Sequence, residues 1–333
     1  MTLPATFLLL FAAAMVFGFL DGFHNSANVV ATVISSRAMR PRQALSVAAA
    51  AEFIGPFLFG TAVAKTIGSD LVDANEITMA VILAAMLAAI SWKLITWYFS
   101  LPSSSSHSLF GGLIGAVIVG AGVQALIPAG VRTIVLALLL SPPLGLAGGY
   151  LVMLLTLLAV RNSSPGINIY FKRGQWITSV GLALTHGSNN AQKVMGILVL
   201  GLMSSGLSDG TSNLLWITAS AAGALALGTF FGGSRIMHTV GRRFYKIRPV
   251  HGFTAQATTS VIILAATVLG GPVSTTQVVS STIVGVGAAE RLSKVRWGVF
   301  RDIALAWLVT IPATGLLAAL FYLPIEALVA WLT

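Results

Sequence analysis

Two short stretches place amides, hydroxyls, histidine and lysine inside otherwise apolar sequence. One is LTHGSNNAQKVMG, from Leu184 to Gly196, and the other is GFHNSANVVAT, from Gly22 to Thr32. Aligned on one another, Gly22 falls on Gly187 and Asn25 on Asn190. In hydrocarbon an unpartnered polar group is costly, so such residues at membrane depth line a cavity, a substrate path or one another. The side chains of Asn25, Asn28, Asn189, Asn190 and Gln192 offer carbonyl oxygens to a cation and NH₂ groups to an anion. Lys193 could pair with an oxyanion or snorkel to the interface. His24, His107 and His186 are three of only five histidines, and all lie in the polar motifs. Imidazole titrates near neutrality, which makes them candidate proton carriers as well as candidates for packing. Glu52, in AAAAEFIGPF, is a carboxylate in the middle of an apolar run, a placement that points to function. Lys65, Lys93 and Arg132 sit near the ends of such runs and read as snorkelling side chains.

A second motif is also duplicated. LPSSSSHSLFGGLIGA, from Leu101 to Ala116, matches GPVSTTQVVSSTIVGV, from Gly271 to Val286. Pro102 then pairs with Pro272, Ser104 with Ser274, Ser105 with Thr275, Ser106 with Thr276 and His107 with Gln277. A proline, a run of hydroxyls and an apolar helix form the pattern of a helix N-terminus with Ser or Thr at the cap. Its free N–H groups, the positive end of the helix dipole and several O–H donors suit an anion. Simple capping would account for one such motif. Two, at nearly the interval that separates the first pair of stretches, suggest half-helices aimed from opposite sides at a site near the midplane.

The elements that must position these residues are membrane helices. Of the 333 residues, 56% are apolar and 8% charged, and the mean hydropathy is strongly positive. That composition belongs to polytopic membrane proteins and excludes an ordinary soluble domain. The net charge of +10 comes from short basic clusters between apolar runs, which is a topology signal and not a nucleic-acid surface. Cysteine is absent, so there is no thiolate nucleophile and no disulfide framework. The first apolar run has no Lys or Arg before Arg37 and reads as a retained span, not a cleaved signal. Runs of about 20 residues, enough to span, fall near 5–35, 44–68, 77–99, 103–127, 133–160, 175–204, 213–234, 252–270, 272–289 and 302–332. The spacing therefore predicts about ten spans. Basic clusters at Arg37, Arg40 and Arg42, at Arg161, Lys172 and Arg173, at Arg235 to Arg248 and at Arg291 to Arg301 alternate with the acidic loop Asp70, Asp73 and Glu76. Placing the basic loops in the cytoplasm puts both termini outside. The two polar stretches then run in opposite directions, as in an inverted repeat. The expected architecture is all-α and polytopic, with a first repeat over 1–145, a linking span and loop over 146–174, and a second repeat over 175–333. Broken helices meet at its midplane.

Taken together, GFHNSANVVATVISSRAMRP, LPSSSSH, THGSNNAQKVMG and PVSTTQ resemble the motifs of the inorganic phosphate transporter (PiT) family, in the family's order and over nearly the whole chain. The resemblance implies an inverted-repeat secondary transporter in the cell membrane that moves inorganic phosphate with Na+ or H+, often as a homodimer. It also implies that some runs are re-entrant hairpins, and it agrees with a role for Glu52. Substrate would be bound by Asn25, Ser104, Ser105, Ser106, Asn190, Lys193, Ser274, Thr275 and Thr276. The coupling ion would be held by Asn25, Asn28, Glu52, Asn189, Asn190 and Gln192, with Na+ at the Asn motifs. The chain departs from the family at Asn25 and Asn190, where Asp is usual, and at Gln277, where His is common. Each Asn supplies a neutral oxygen in place of a charge, which leaves the coupling ion open. Alternatives are a permease for sulfate or another tetrahedral oxyanion, and an anion channel with a continuous polar pore. An enzyme is not expected, because SSSSH contains no positioned base or orienting acid. No Walker motif provides for ATP, and no cofactor beyond the coupling ion is implied.

Overall fold

Proline and glycine punctuate a chain that is otherwise helical. The computed structural model describes residues 4–99, 101, 103–208, 215–232 and 247–332. Pro102 of the first hydroxyl motif and the basic residues Arg235, Arg242, Arg243 and Lys246 lie outside the described residues. Among those described there are eleven α-helices: α1 (Ala5–Ser35), α2 (Pro41–Leu58), α3 (Ala62–Gly68), α4 (Met79–Tyr98), α5 (Ser105–Gly120), α6 (Pro128–Ala159), α7 (Ile167–Ser204), α8 (Leu215–Phe230), α9 (Pro249–Val268), α10 (Thr275–Glu290) and α11 (Trp297–Leu332). Proline opens α2, α6 and α9, where its missing N–H costs nothing and its fixed φ suits the first turn.

The helices differ from the ten runs in ways that bear on the site. Four of them, α1, α4, α6 and α11, are long and apolar enough to cross a membrane, and α2 with α3 makes a fifth if that pair, bent by 75°, is one span. The run expected at 44–68 is broken at Gly60, whose φ of 75° is in the region that glycine adopts without steric cost. At 16 residues each, α5 and α10 reach about 24 Å, short of a hydrocarbon core of about 30 Å. The run read over 103–127 thus contains a helix somewhat too short to span. The polar stretch of α7 lowers the hydropathy of a helix that is 38 residues long. Residue 145 lies inside the continuous helix α6, so the division expected there cuts an element, and α7 begins at Ile167, within the linking segment expected over 146–174.

Packing is close where glycine permits it. A Cβ on Gly22 of α1 would lie 1.9 Å from the carbonyl oxygen of Leu225 in α8, and one on Gly187 of α7 would lie 2.4 Å from that of Glu52 in α2. The converse contacts are Gly228 against Phe19 and Gly55 against Leu184. Backbone therefore lies on backbone in both pairs, and each polar stretch is clamped against a helix from the other half of the chain. Phe7, Phe17, Ile67, Leu71, Met86, Leu109 and Phe110 fill the largest apolar core, around α3, α4 and α5. On the outside, α6 and α11 expose Leu139, Leu155, Leu308 and Leu320, the surface that a bilayer would cover.

Candidate functional site

The two hydroxyl motifs meet at their caps. Ser104 caps α5, its Oγ accepting from the His107 N–H at 3.2 Å, and Ser274 caps α10, its Oγ accepting from the Gln277 N–H at 3.3 Å. The two cap oxygens lie 2.8 Å apart. Two helix N-termini thus abut in the interior, where their positive dipole ends repel one another unless negative charge lies between them. Ser106 Oγ donates to the Val273 carbonyl at 2.9 Å, tying the first motif to the extended segment before α10. His107 Nδ1 lies 2.7 Å from Ser104 Oγ, and its Nε2 lies 3.4 Å from Gln277 Nε2. Ser141 of α6, not singled out from the sequence, accepts from the Ser274 N–H at 3.3 Å.

Each polar stretch, the first together with Asp21 just before it, lines up three side chains beside this junction. Positions i, i+4 and i+7 share a helix face, so α1 presents Asp21, Asn25 and Asn28, while α7 presents His186, Asn190 and Lys193. Asn25 Nδ2 donates to Asp21 Oδ1 at 2.6 Å and lies 3.5 Å from Ser105 Oγ. Asn28 Nδ2 donates to Asn25 Oδ1 at 3.1 Å and to Thr276 Oγ1 at 3.0 Å, and the Thr276 hydroxyl donates to Asn25 Oδ1 at 3.2 Å. On the other side Lys193 Nζ donates to Asn190 Oδ1 at 2.7 Å and to the Val273 carbonyl at 3.0 Å. Asn190 Nδ2 reaches Thr275 Oγ1 at 3.3 Å and His186 Nε2 at 2.9 Å.

These donors assign the His186 tautomer. Nε2 faces an NH₂ and accepts, which puts the ring proton on Nδ1; Nδ1 lies 2.8 Å from Glu52 Oε1, close but not aligned for a hydrogen bond. The other Glu52 oxygen accepts from Thr229 Oγ1 at 2.5 Å. All of these side chains are buried.

The structure brings together Asn25, Asn28, Glu52, Ser104, Ser105, Ser106, His107, His186, Asn190, Lys193, Ser274, Thr275 and Thr276. It turns two expected ligands away. Gln192 Oε1 accepts from the N–H groups of Val63 and Ala64 at 2.9 and 3.3 Å and so caps α3, which has no side-chain cap of its own. Asn189 Nδ2 bonds Thr267 Oγ1 and the Gly271 carbonyl at 2.9 and 3.3 Å, leaving its buried Oδ1 without a donor. His24 is buried with neither ring nitrogen hydrogen-bonded.

Lys93 overturns its expectation. It does not snorkel; it is fully buried, with Nζ 2.9 Å from Asp21 Oδ1. Asp21 was not singled out from the sequence, although a carboxylate one turn before Asn25 within an apolar run was a signal for it. Lys65 and Arg132, by contrast, are exposed.

Comparisons with known proteins converge on one family. Residues 21–318 match the family model described as the phosphate transporter family. The chain is 42% identical over 319 residues to a probable low-affinity inorganic phosphate transporter of Bacillus subtilis, covering 95% of this chain and 96% of the relative. It is 41% identical over 315 residues to a protein of the same description from Rhizobium meliloti, covering 94% of each. A solved structure titled the sodium-dependent phosphate transporter superposes with a TM-score of 0.85 at 26% identity, covering 97% of this chain and 99% of that one.

Proposed function

The chain belongs to the phosphate transporter family, and from that premise we propose that it is a secondary carrier of inorganic phosphate coupled to Na+ or H+. The family is one of transporters, not enzymes. The observation that carries the proposal is the 2.8 Å contact between the caps of α5 and α10. Phosphate would part the caps and be held by hydroxyls and N–H groups of Ser104, Ser105, Ser106, Ser274, Thr275 and Thr276, with the Lys193 ammonium beside them. Hydrogen phosphate also needs an acceptor for its own proton. The Asn25 and Asn190 carbonyl oxygens supply one, whereas sulfate would leave them facing an acceptor.

Alternating exposure of this site would come from two inverted repeats. The lengths of α4 and α9, 20 residues each, and of α5 and α10, 16 residues each, support that organisation, as do the matched glycine contacts of α1 with α8 and of α7 with α2. We place the repeat limits at the ends of helices, over 1–159 and 167–333, with both termini outside and a homodimer as the assembled form.

Na+ coupling would use amide oxygens, with bound phosphate supplying the missing negative charge. Proton coupling is favoured by one specific contact, that between Glu52 and His186, which links a buried carboxylate through Asn190 to Thr275. Phosphate uptake into proteoliposomes, with sodium and pH gradients imposed separately, tests the reading. Arsenate should compete and sulfate should not; preferential uptake of sulfate would refute the substrate. Counter-flow exchange separates a carrier from a channel. Uptake driven by pH without sodium, lost in Glu52→Gln, would assign coupling to Glu52.

A further inference from the structure

The amide face of α1 is held by a cation that belongs to the chain. Lys93 Nζ, from α4, lies 2.9 Å from Asp21 Oδ1, with both side chains fully buried, and 5.6 Å from the centroid of the Phe17 ring. The same Asp21 oxygen accepts from Asn25, which in turn reaches Ser105, Asn28 and Thr276. The ammonium is thus joined through two side chains to the hydroxyls around the caps. Asp21 Oδ2 is buried with no hydrogen-bond donor.

Burying such a pair costs desolvation that two well-packed apolar residues would avoid. What the pair does is put a fixed positive charge against a buried carboxylate that would otherwise demand a cation from outside the chain. Among the described residues the second half has no such buried Asp–Lys pair. His186 stands where Asp21 stands in the first, and Ile263 of α9 occupies the position of Lys93 in α4, counted from the start of each 20-residue helix.

We propose that Lys93 is a tethered counter-cation: its ammonium takes the place of an inorganic coupling cation at Asp21. Cation coupling is left to the other polar stretch, where Glu52 of α2 meets His186 of α7. The consequence for transport rests on the phosphate-carrier reading; the occupancy of the face does not. Removing the ammonium while keeping the carboxylate should open the site to sodium, and removing both charges should close it again.

The test is sodium binding to purified protein without phosphate, at alkaline pH so that protons do not neutralise Asp21. It is read by calorimetry and by the sodium-dependent rise in unfolding temperature, with choline as control. Lys93→Gln should bind sodium about a hundredfold more tightly than the unaltered chain, since an uncompensated buried carboxylate is costly enough to drive that change. Asp21→Asn/Lys93→Gln should lose the gain. Equal sodium affinity in Lys93→Gln and the unaltered chain, or a gain kept by the double variant, overturns the proposal. Should Lys93→Gln fold only in sodium, the ion is replacing the ammonium as expected. Should it fold in neither medium while the double variant folds, sodium cannot take that place and the proposal is wrong. Because binding is read without phosphate, failure of every variant to take up phosphate would count against the carrier and leave the sodium result standing.

Discussion

Ser105 and Thr275 are the hydroxyls just inside the two caps, each within reach of the amide of its own motif partner, Asn25 at 3.5 Å and Asn190 at 3.3 Å. Their matched surroundings predict matched losses. Ser105→Ala or Thr275→Ala should each weaken phosphate binding by about 1.5–3 kcal/mol, the range for a hydrogen bond to a charged partner, measured by calorimetry. Ser36 is unsuitable as a control, because it is buried and donates to Gln175 Oε1 at 2.7 Å. The exposed Ser163 serves instead, and Ser163→Ala should leave affinity unchanged. Asn25→Asp would set a second carboxylate within hydrogen-bond distance of Asp21, since those side chains are 2.6 Å apart. Two like charges there raise the demand for a cation, so sodium should stabilise this variant against heat more than it does the unaltered chain. An equal response in both would count against a cation site on α1.

Gly22 and Gly187 show how the elements hold those residues. Neither position has room for a methyl group, because the neighbouring helix presents backbone, which cannot rotate aside. Gly22→Ala must push α1 from α8 and carry Asp21 and Asn25 with it. The expected cost is about 1–3 kcal/mol of overpacking, with a larger loss of uptake than of folded protein. Gly223, also in α8, has nothing within 4 Å of its would-be Cβ, so Gly223→Ala should hold or raise stability by up to about 1 kcal/mol through helix propensity. Thermal unfolding and uptake measured on both variants distinguish clamping from a general intolerance of substitution. α5 and α10 stop short of a full span, and their caps meet in the interior.

On the scale of the whole molecule, the orientation is open to a direct measurement because the chain has no cysteine. With both termini outside, a single cysteine at exposed Asn75, in the acidic loop, should react with an impermeant thiol reagent from outside. One at Ser163, in the basic loop, should react only from the cytoplasm. The reverse pattern would invert the assignment, and labelling of both from one side would break the alternation of loops on which the inverted repeat depends.

Hydropathy, charge alternation and two duplicated motifs determined from the sequence alone that the chain is helical, belongs in a membrane and carries hydroxyl-capped helix starts beside amide-rich stretches. Those properties are local: a cap needs only its own first turn, and a polar residue in an apolar run is visible without its neighbours. The sequence could not decide which amides face the junction, because Asn189 and Asn190 are adjacent and helix rotation sends one to Thr267 and the other to Thr275. Nor could it join Asp21 to Lys93, which are 72 positions apart. Read alone, Lys93 near the end of an apolar run was a snorkelling side chain. Only the packing of α4 on α1 turned it inward, and burial then required a partner of opposite charge. The span count also needed the fold, since hydropathy measures the length of an apolar run and not the point at which a helix within it begins or bends.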